Sequence, residues 1–269
     1  MSIKIFVINL ETSVERRKIM ERQLTKQQLD FEIFKAVRGS ALSEEELLMF
    51  YDKEYLVNKP AWFTPGAAGC AISHYLLYKK IIDEKIDVAL ILEDDMQLPG
   101  NLAGLLQQLS TAIRGDEVIM LFYQSYAAIN LSSQTARPMG GGTSLYQIID
   151  INRLRSTGAY MINYNAAKRM VDSLLPFSAF PDDWKGFYER RILNGIRVVY
   201  PLVFQNTYEP TTISPNTKGG AFIKKAVQAV ETYKVFPLYQ ILKNRRKKNI
   251  LDSQRCFILD KPAQDFRAP

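Results

Sequence analysis

Three consecutive acidic residues, Glu93, Asp94 and Asp95, directly follow an apolar run at 88–92. A run rich in Val, Leu and Ile is typical of a strand buried in a sheet, and adjacent carboxylates at its end repel one another. A bound divalent cation relieves that repulsion through oxygen ligands, whereas a solvated loop screens the charges with water. The segment by itself leaves both interpretations open.

Three other groups of side chains have types suited to chemistry. His74 falls on the apolar face of a predicted helix, which favours a core histidine held by hydrogen bonds. Arg16 and Arg17 follow the first predicted strand; a guanidinium suits phosphate recognition, but a solvated helix face is the usual position of such a pair. Asp182 and Asp183 precede a short predicted helix, and an N-cap role explains one of the two.

Hydrophobic periodicity predicts alternating strands and helices over the first 200 residues. Two helix starts match the capping box, Thr12 with Glu15 and Ser43 with Glu46. The polar segment 124–144, with glycines at 140–142, predicts a mobile loop, and the proline-containing segment 54–65 predicts a loop. The predicted strands cover 3–10, 31–37, 88–92, 117–123, 145–151, 158–163 and 196–204, and the predicted helices cover 12–29, 43–53, 66–85, 101–113, 165–175 and 184–194.

The order of these elements predicts an α/β fold in which helices cover both faces of a mainly parallel sheet. Ligands of such sheets bind at the carboxyl ends of the strands, and the three acids lie at one such end. The position therefore favours a functional site over a solvated loop. We predict a catalytic domain over 1–220 and a C-terminal extension over 221–269.

Composition narrows the class of protein. The chain has 269 residues and is 47% apolar, enough for a large core. Two cysteines and the lack of a signal-peptide pattern predict a protein of the reducing cytoplasm. The net charge of +7 equals the excess of basic residues between 221 and 248, where only Glu231 is acidic. The basicity thus belongs to the extension.

In this arrangement the chain resembles glycosyltransferase family 25, the bacterial lipooligosaccharide galactosyltransferases. Five segments carry the resemblance in order: VINLETSVERR (7–17), GAAGCAISHYLLYKKII (66–82), ALILEDDM (89–96), STGAYMINYNAAKRM (156–170) and FPDDW (180–184). It implies a GT-A-like, Rossmann-like fold. It also implies inverting transfer of a hexose, such as galactose from UDP-galactose, to a lipooligosaccharide or lipopolysaccharide acceptor.

The resemblance also implies a divalent metal, Mn²⁺ or Mg²⁺, which stabilises the leaving diphosphate as a Lewis acid. Asp95 is the preferred ligand, and Glu93 shares its side of the extended backbone. Glu93 or Asp94 then supports the ribose or the metal's waters. Many GT-A enzymes add a late histidine, whereas the one histidine here is the early His74. Either the metal has fewer protein ligands, or the enzyme does not depend on it.

The remaining predicted roles concern donor and acceptor. We expect the acceptor hydroxyl to lose its proton to a carboxylate: one of Asp182 and Asp183 caps the helix and the other is the base, with Asp183 preferred. The predicted donor-binding residues are Asn9 and Leu10 at the nucleobase, Arg16 or Arg17 at the phosphates, and Arg155, Thr157 and Gly158 at the sugar. The resemblance also implies a donor-site role for His74.

The C-terminal extension predicts a membrane partner. Ala226, Val230 and Tyr233 share a helical face before Pro237, and five basic residues follow at 243–248. We expect this segment to dock on an anionic inner-membrane surface, where the lipid-linked acceptor lies, and not on nucleic acid. One alternative to the glycosyltransferase function is a non-catalytic basic module that binds membrane or nucleic acid. Another, a sugar nucleotidyltransferase, would need a glycine-rich loop after the first strand, and 11–17 contains no glycine.

Overall fold

One large sheet organises the protein in the computed structural model, which describes residues 3–60, 63–208 and 221–263, with side chains in the last range from Lys225 onward. Eight strands form this sheet in the order β2-β1-β3-β9-β5-β10-β8-β7. They are β1 Ile3–Asn9, β2 Phe31–Lys35, β3 Val88–Glu93, β5 Glu117–Met120, β7 Arg137–Pro138, β8 Ser144–Gln147, β9 Ala159–Asn163 and β10 Gly195–Tyr200. Two small sheets pair β4 Met96–Gln97 with β11 Gln205–Asn206, and β6 Ile129–Ser132 with β12 Cys256–Leu259.

Helices cover both faces of the large sheet. They are α1 Val14–Lys26, α2 Glu44–Leu48, α3 Lys53–Val57, α4 Pro65–Asp83, α5 Leu102–Ser110, α6 Tyr164–Leu174, α7 Trp184–Glu189, α8 Ala221–Thr232 and α9 Leu238–Asp252. The pairings make six strands of the sheet run one way and β8 and β9 the other. The predicted α/β class with a mainly parallel sheet is therefore confirmed.

The alternation of side chains along β1 and β3 builds two cores, one on each face of the sheet. On one face, Phe6 and Ile91 pack with residues of α4 and α6, including Tyr78 and Met170. On the opposite face, Val7 and Leu90 pack with Met20 and Leu24 of α1 and with α5. Because both faces are buried, β3 is apolar throughout until it reaches the edge at Glu93.

Some helix predictions were wrong in detail. α1 begins at Val14, and the side chain of its N-cap Ser13 makes no capping hydrogen bond; Glu15 pairs with Lys18 instead of closing a box with Thr12. The Ser43–Glu46 capping box is confirmed, but the helix it starts, α2, ends at Leu48 instead of near 53. The prediction of a loop over 54–65 was wrong at its start, because α3 occupies Lys53–Val57.

The prediction of a mobile loop over 124–144 was also wrong. This segment contains β6, whose residues are largely buried and pair in parallel with β12. The pattern at 124–144 did not reveal a strand because the partner of β6 lies more than 120 residues later. Tertiary pairing thus overrides the polar composition of the segment.

The same pairing ties the C-terminal segment to the rest of the protein. The Tyr123 hydroxyl donates to the carbonyl of Gln254 at 2.8 Å, and the amide of Ser125 donates to the carbonyl of Ser253 at 2.8 Å. α8 ends before Pro237, as predicted, and the basic run that follows lies within α9. Within the described ranges, no helix is both long and apolar enough to cross a bilayer.

Candidate active site

The candidate site lies at one edge of the large sheet, where β1 and β3 end side by side. These strands are parallel and in register, with Ile8 opposite Glu93, so Asn9 and the acids meet at the same edge. β9 pairs antiparallel with β3 and therefore starts at this edge. The segment 155–158, which leads into β9, is placed against the acids for this reason.

Asp94 is fully engaged by protein donors. One of its carboxylate oxygens accepts from the side-chain amide of Asn9 at 2.7 Å, and the other accepts from the guanidinium of Arg16 at 2.9 Å. Burial raises the pKa of Asp94 above its ordinary value, and this outweighs the opposing effects of Arg16 and Asn9. Asp94 thus fixes the start of α1 to the end of β3.

Glu93 is held by the segment that precedes β9. The Thr157 hydroxyl donates to Oε1 of Glu93 at 2.5 Å, and the Glu93 amide donates to the Gly158 carbonyl at 2.8 Å. Burial raises the pKa of Glu93, but interactions with His74, Thr157 and Arg16 outweigh it, so the pKa ends below its ordinary value. These interactions therefore favour the ionised form of Glu93.

Asp95 has an incomplete set of partners. Its carbonyl accepts from the Thr207 amide at 2.8 Å and its side chain interacts with Asn206, yet Oδ1 is buried without a hydrogen-bond partner among the described residues. Burial and then the negative charge of Glu93 raise the pKa of Asp95 to about 6, against the effects of Asn206 and Arg16. A cation at Oδ1 would supply the missing positive charge, so the oxygen set fits a hard divalent metal.

Asp182 and Asp183 have different environments. Oδ2 of Asp182 accepts from the Ser156 amide at 2.9 Å, whereas Oδ1 of Asp183 accepts from the Gly186 amide at 3.3 Å and caps α7. Burial raises the pKa of Asp182, the hydrogen bond from Ser156 and the charge of Arg155 lower it, and the charge of Glu93 raises it further; the net shift is upward. Asp182 therefore belongs to the cluster of Glu93.

Ser156 connects these groups through the backbone. It has a φ of +87°, a left-handed conformation that is uncommon for a non-glycine residue. Its carbonyl accepts from the indole of the fully buried Trp184 at 2.9 Å. Trp184 thus anchors the segment and packs on Tyr160, so its role is structural.

His74 is buried at the floor of the site. Its Nδ1 lies 2.8 Å from the Tyr160 hydroxyl, which is 2.7 Å from the Tyr78 hydroxyl. Its Nε2 points toward Glu93, 3.8 Å from Oε1, a distance too long for a hydrogen bond. His74 is thus both a buried core histidine and a neighbour of the acids, which combines the two predicted positions.

A cleft of about 540 Å³ opens next to these groups. The volume falls in the usual range for small-molecule sites, about 300–1,000 Å³. The N-terminus of α4 borders the cleft at Gly66, and Thr64 caps that helix by accepting from the Ala67 amide at 3.1 Å. The cleft is lined by residues that include Leu10, Arg16, Arg38, Cys70, His74 and the three acids.

Comparison with known proteins identifies the family. A family model described as "Glycosyltransferase family 25 (LPS biosynthesis protein)" matches residues 2–184, well over half of the chain. The chain belongs to glycosyltransferase family 25. The predicted resemblance is therefore confirmed, and the matched region contains every group of the cluster described above except Asn206 and Thr207.

Relatives of this family 25 member include longer proteins. Procollagen galactosyltransferase 2 of Homo sapiens is 25% identical over 76% of this chain, and procollagen galactosyltransferase 1-B of Xenopus laevis is 34% identical over 76%. This chain spans only 35% and 36% of those two proteins. The lipooligosaccharide biosynthesis protein lic2B of Haemophilus influenzae is 24% identical over 61% of both chains.

One similar solved structure is that of a glycosyltransferase involved in the glycosylation of the major capsid of PBCV-1. The match covers 78% of this chain and 84% of that chain, at 14% sequence identity. Its TM-score is 0.35.

The family 25 residues predicted from the sequence divide into two groups. Asn9, Leu10, Arg16, His74, Thr157 and the acids Glu93, Asp94, Asp95 and Asp182 come together at the edge. Arg17 does not: its side chain is about half exposed and pairs with Glu21. Gly158 is buried, and a side chain there would meet Phe122 and Met96. Arg155 pairs through its backbone with Gln124, and its charge acts on Asp182.

Sequence reasoning missed three residues of the site: Arg38, Cys70 and Asn206. Cys70 had a usable signal, because it precedes His74 by four residues and so lies on the same helical face. Asn206 had none, because it reaches Asp95 only through the pairing of β11 with β4.

We predict that Arg16→Met destabilises the protein far more than Arg17→Met. The Arg16–Asp94 pair is only 18% and 11% exposed, so its loss leaves a carboxylate largely buried and should cost about 1–3 kcal/mol. The exposed Arg17–Glu21 pair should contribute only about 0.5 kcal/mol. Urea unfolding measures both; equal midpoints for the two variants would contradict a structural role for Arg16.

Proposed function

We propose that this protein transfers a hexose, galactose from UDP-galactose, to a saccharide acceptor of lipooligosaccharide, with inversion at the sugar carbon. Its relatives include proteins named as procollagen galactosyltransferases and as lipooligosaccharide biosynthesis proteins. The observation that carries the proposal is the cleft beside Asp95, whose buried Oδ1 lacks a partner in the described chain. This is where a metal-bound diphosphate can be held.

The donor is proposed to bind with its diphosphate at the acids. Asp95, with Glu93 beside it, would hold Mn²⁺ or Mg²⁺, and such a metal stabilises charge on a leaving diphosphate. Arg16 and Arg38, which line the same cleft, add positive charge, and the N-terminus of α4 offers the Gly66 amide to a phosphate oxygen. Asn9 and Leu10 border the region left for the nucleoside.

The base is proposed to be Asp182. Inverting transfer requires a carboxylate to take the proton of the acceptor hydroxyl as its oxygen attacks the sugar carbon opposite the leaving diphosphate. Asp183 is committed to capping α7, whereas Asp182 faces the Glu93 cluster and has a raised pKa. These contacts favour Asp182 over the Asp183 that the sequence suggested.

We expect Asp95→Asn to raise the Mn²⁺ concentration that half-activates transfer by more than about 100-fold. Loss of a residue that only supports a ligand typically costs 10–100-fold in metal affinity, so loss of the ligand should cost at least as much. The assay measures UDP release from UDP-galactose with an acceptor present while Mn²⁺ is varied. Asp172→Asn, an exposed carboxylate paired with Lys168, is the control.

Unchanged Mn²⁺ activation in Asp95→Asn would remove Asp95 from the metal site. A panel of other nucleotide sugars in the same assay tests the donor, since a different preferred sugar would overturn galactose and leave the transferase proposal intact.

The neighbouring aspartates give a matched test of the base. Asp182→Asn should lower kcat by about 10²–10⁴-fold with little change in donor KM, because general-base catalysis typically contributes that factor. Asp183→Asn should leave kcat within a few-fold, since asparagine caps a helix almost as well as aspartate. A large loss of kcat in Asp183→Asn with little loss in Asp182→Asn would instead assign the base to Asp183.

We also propose that the C-terminal segment docks on the anionic inner face of the cytoplasmic membrane, where a lipid-linked acceptor lies. The turn between α8 and α9 exposes large apolar side chains, with Tyr233 78% and Phe236 84% exposed. Exposed basic residues of α9 follow, including Arg245, Lys247 and Lys248. Apolar insertion beside basic charge is the chemistry that anionic lipid favours.

This segment is physically linked to the site. Arg246 of α9 donates from Nε to the carbonyl of Tyr208 at 2.8 Å and pairs with Glu231 of α8. The amide of Tyr208 donates to Asn206, and Asn206 interacts with Asp95. A docked α9 would therefore present the acceptor surface near the metal site.

We expect the triple change of Arg245, Lys247 and Lys248 to Gln to weaken binding to anionic vesicles by about 10- to 100-fold at low salt. Each basic residue near such a membrane contributes about 1 kcal/mol before screening. Arg246 is kept because it holds Tyr208. Co-sedimentation measures binding, and the control changes Lys18, Arg22 and Lys26 of α1 to Gln, which removes the same charge elsewhere. Equal binding by the two triple variants would reject a specific basic surface.

A further inference from the structure

Three side chains of different chemistry converge at the floor of the cleft. Cys70 and His74 lie one turn apart on α4, and Glu93 ends β3 opposite them. The Cys70 sulfur, a His74 ring nitrogen and a Glu93 carboxylate oxygen all lie within 4.8 Å of one another. The arrangement results from the packing of α4 across the sheet edge. The proposed transfer reaction assigns no role to Cys70 or His74.

His74 provides the decisive observation. Its side chain is only 3% exposed, and its Nε2 is buried without a hydrogen-bond partner in the part of the chain that the structure describes. A buried polar atom left unpaired is costly, so its place next to a thiol and a carboxylate calls for a ligand.

The second ring nitrogen is already positioned. Nδ1 lies 2.8 Å from the Tyr160 hydroxyl, which contacts the Tyr78 hydroxyl. When Nδ1 donates its hydrogen to Tyr160, the lone pair of Nε2 faces Cys70 and Glu93. A histidine oriented in this way through its other nitrogen is the usual form of a metal ligand.

We propose that Cys70, His74 and Glu93 bind a thiophilic divalent ion of the zinc class. Sulfur and imidazole ligands select Zn²⁺, whereas Mn²⁺ and Mg²⁺ prefer the oxygen set at Asp95. Tetrahedral bonds of about 2.0–2.3 Å place ligand atoms about 3.3–3.8 Å apart, so the three atoms need to move together by about 1 Å. The thiol proton passes to solvent as the sulfur–metal bond forms.

The proposed ion has a defined consequence for the site. Because Cys70, His74 and Glu93 all line the cleft, the ion leaves its fourth position open toward it. It also takes the Glu93 oxygen to which Thr157 donates. On the proposed function, Zn²⁺ therefore inhibits transfer in competition with the donor and with the activating Mn²⁺, because the two ion sites share Glu93.

The test uses Co²⁺ as a spectroscopic substitute for Zn²⁺ on the full chain. We expect one equivalent of Co²⁺ to produce a sulfur-to-cobalt charge-transfer absorption, which Zn²⁺ then removes. Cys70→Ser should abolish the band, while Cys256→Ser, the other cysteine of the chain, should retain it. Asp95→Asn should also retain it, because Asp95 is not one of the three proposed ligands.

A wild-type protein without the band, or a band that survives Cys70→Ser, overturns the proposal. If Cys70→Ser does not fold, X-ray absorption of the wild-type Zn²⁺ form decides: one sulfur ligand supports the site and oxygen or nitrogen ligands alone reject it. Neither measurement uses a donor or acceptor, so failure of the transferase proposal would leave this result unaffected.

Discussion

The constraint on which the site depends is the burial of four carboxyl groups at one edge of the sheet. Burial disfavours each charge, and their mutual repulsion adds to the cost. Three of the four accept hydrogen bonds from different donors: Asp94 from Arg16 and Asn9, Glu93 from Thr157, and Asp182 from the Ser156 amide. Asp95 is the acid whose Oδ1 is left without such a donor, which makes it the natural position for a metal.

The antiparallel strand β9 makes this arrangement possible. A parallel strand between β3 and β5 would end at the acidic edge, whereas β9 begins there and delivers its preceding segment to the acids. Consecutive residues, Ser156 and Thr157, then bind two carboxylates from distant parts of the chain. The indole of Trp184 holds the segment by its backbone, so a core residue sets the geometry of the site.

The C-terminal segment is joined to the same edge by a short series of contacts. β11 pairs with β4 directly after Asp95, and Arg246 binds the residue that follows β11 by two positions. At its other end, β12 pairs with β6. The basic helix α9 thus lies between two attachments, and its exposed charges and the α8–α9 turn are presented from an anchored element.

The sequence by itself determined the class of fold, the family and the edge at which the acids meet. Apolar runs at 3–10 and 88–92 predicted β1 and β3, and a capping box predicted the start of α2, because these features depend on neighbouring residues. The tertiary structure decided the features that depend on residues far apart in the sequence. Arg16 and Arg17 are adjacent and alike, but one turns to Asp94 and the other to solvent, because successive helical residues point about 100° apart. Asp182 and Asp183 likewise differ only through their tertiary contacts: Asp182 accepts a hydrogen bond from the Ser156 amide, whereas Asp183 caps the start of α7. β6 escaped detection because its partner β12 lies far along the chain.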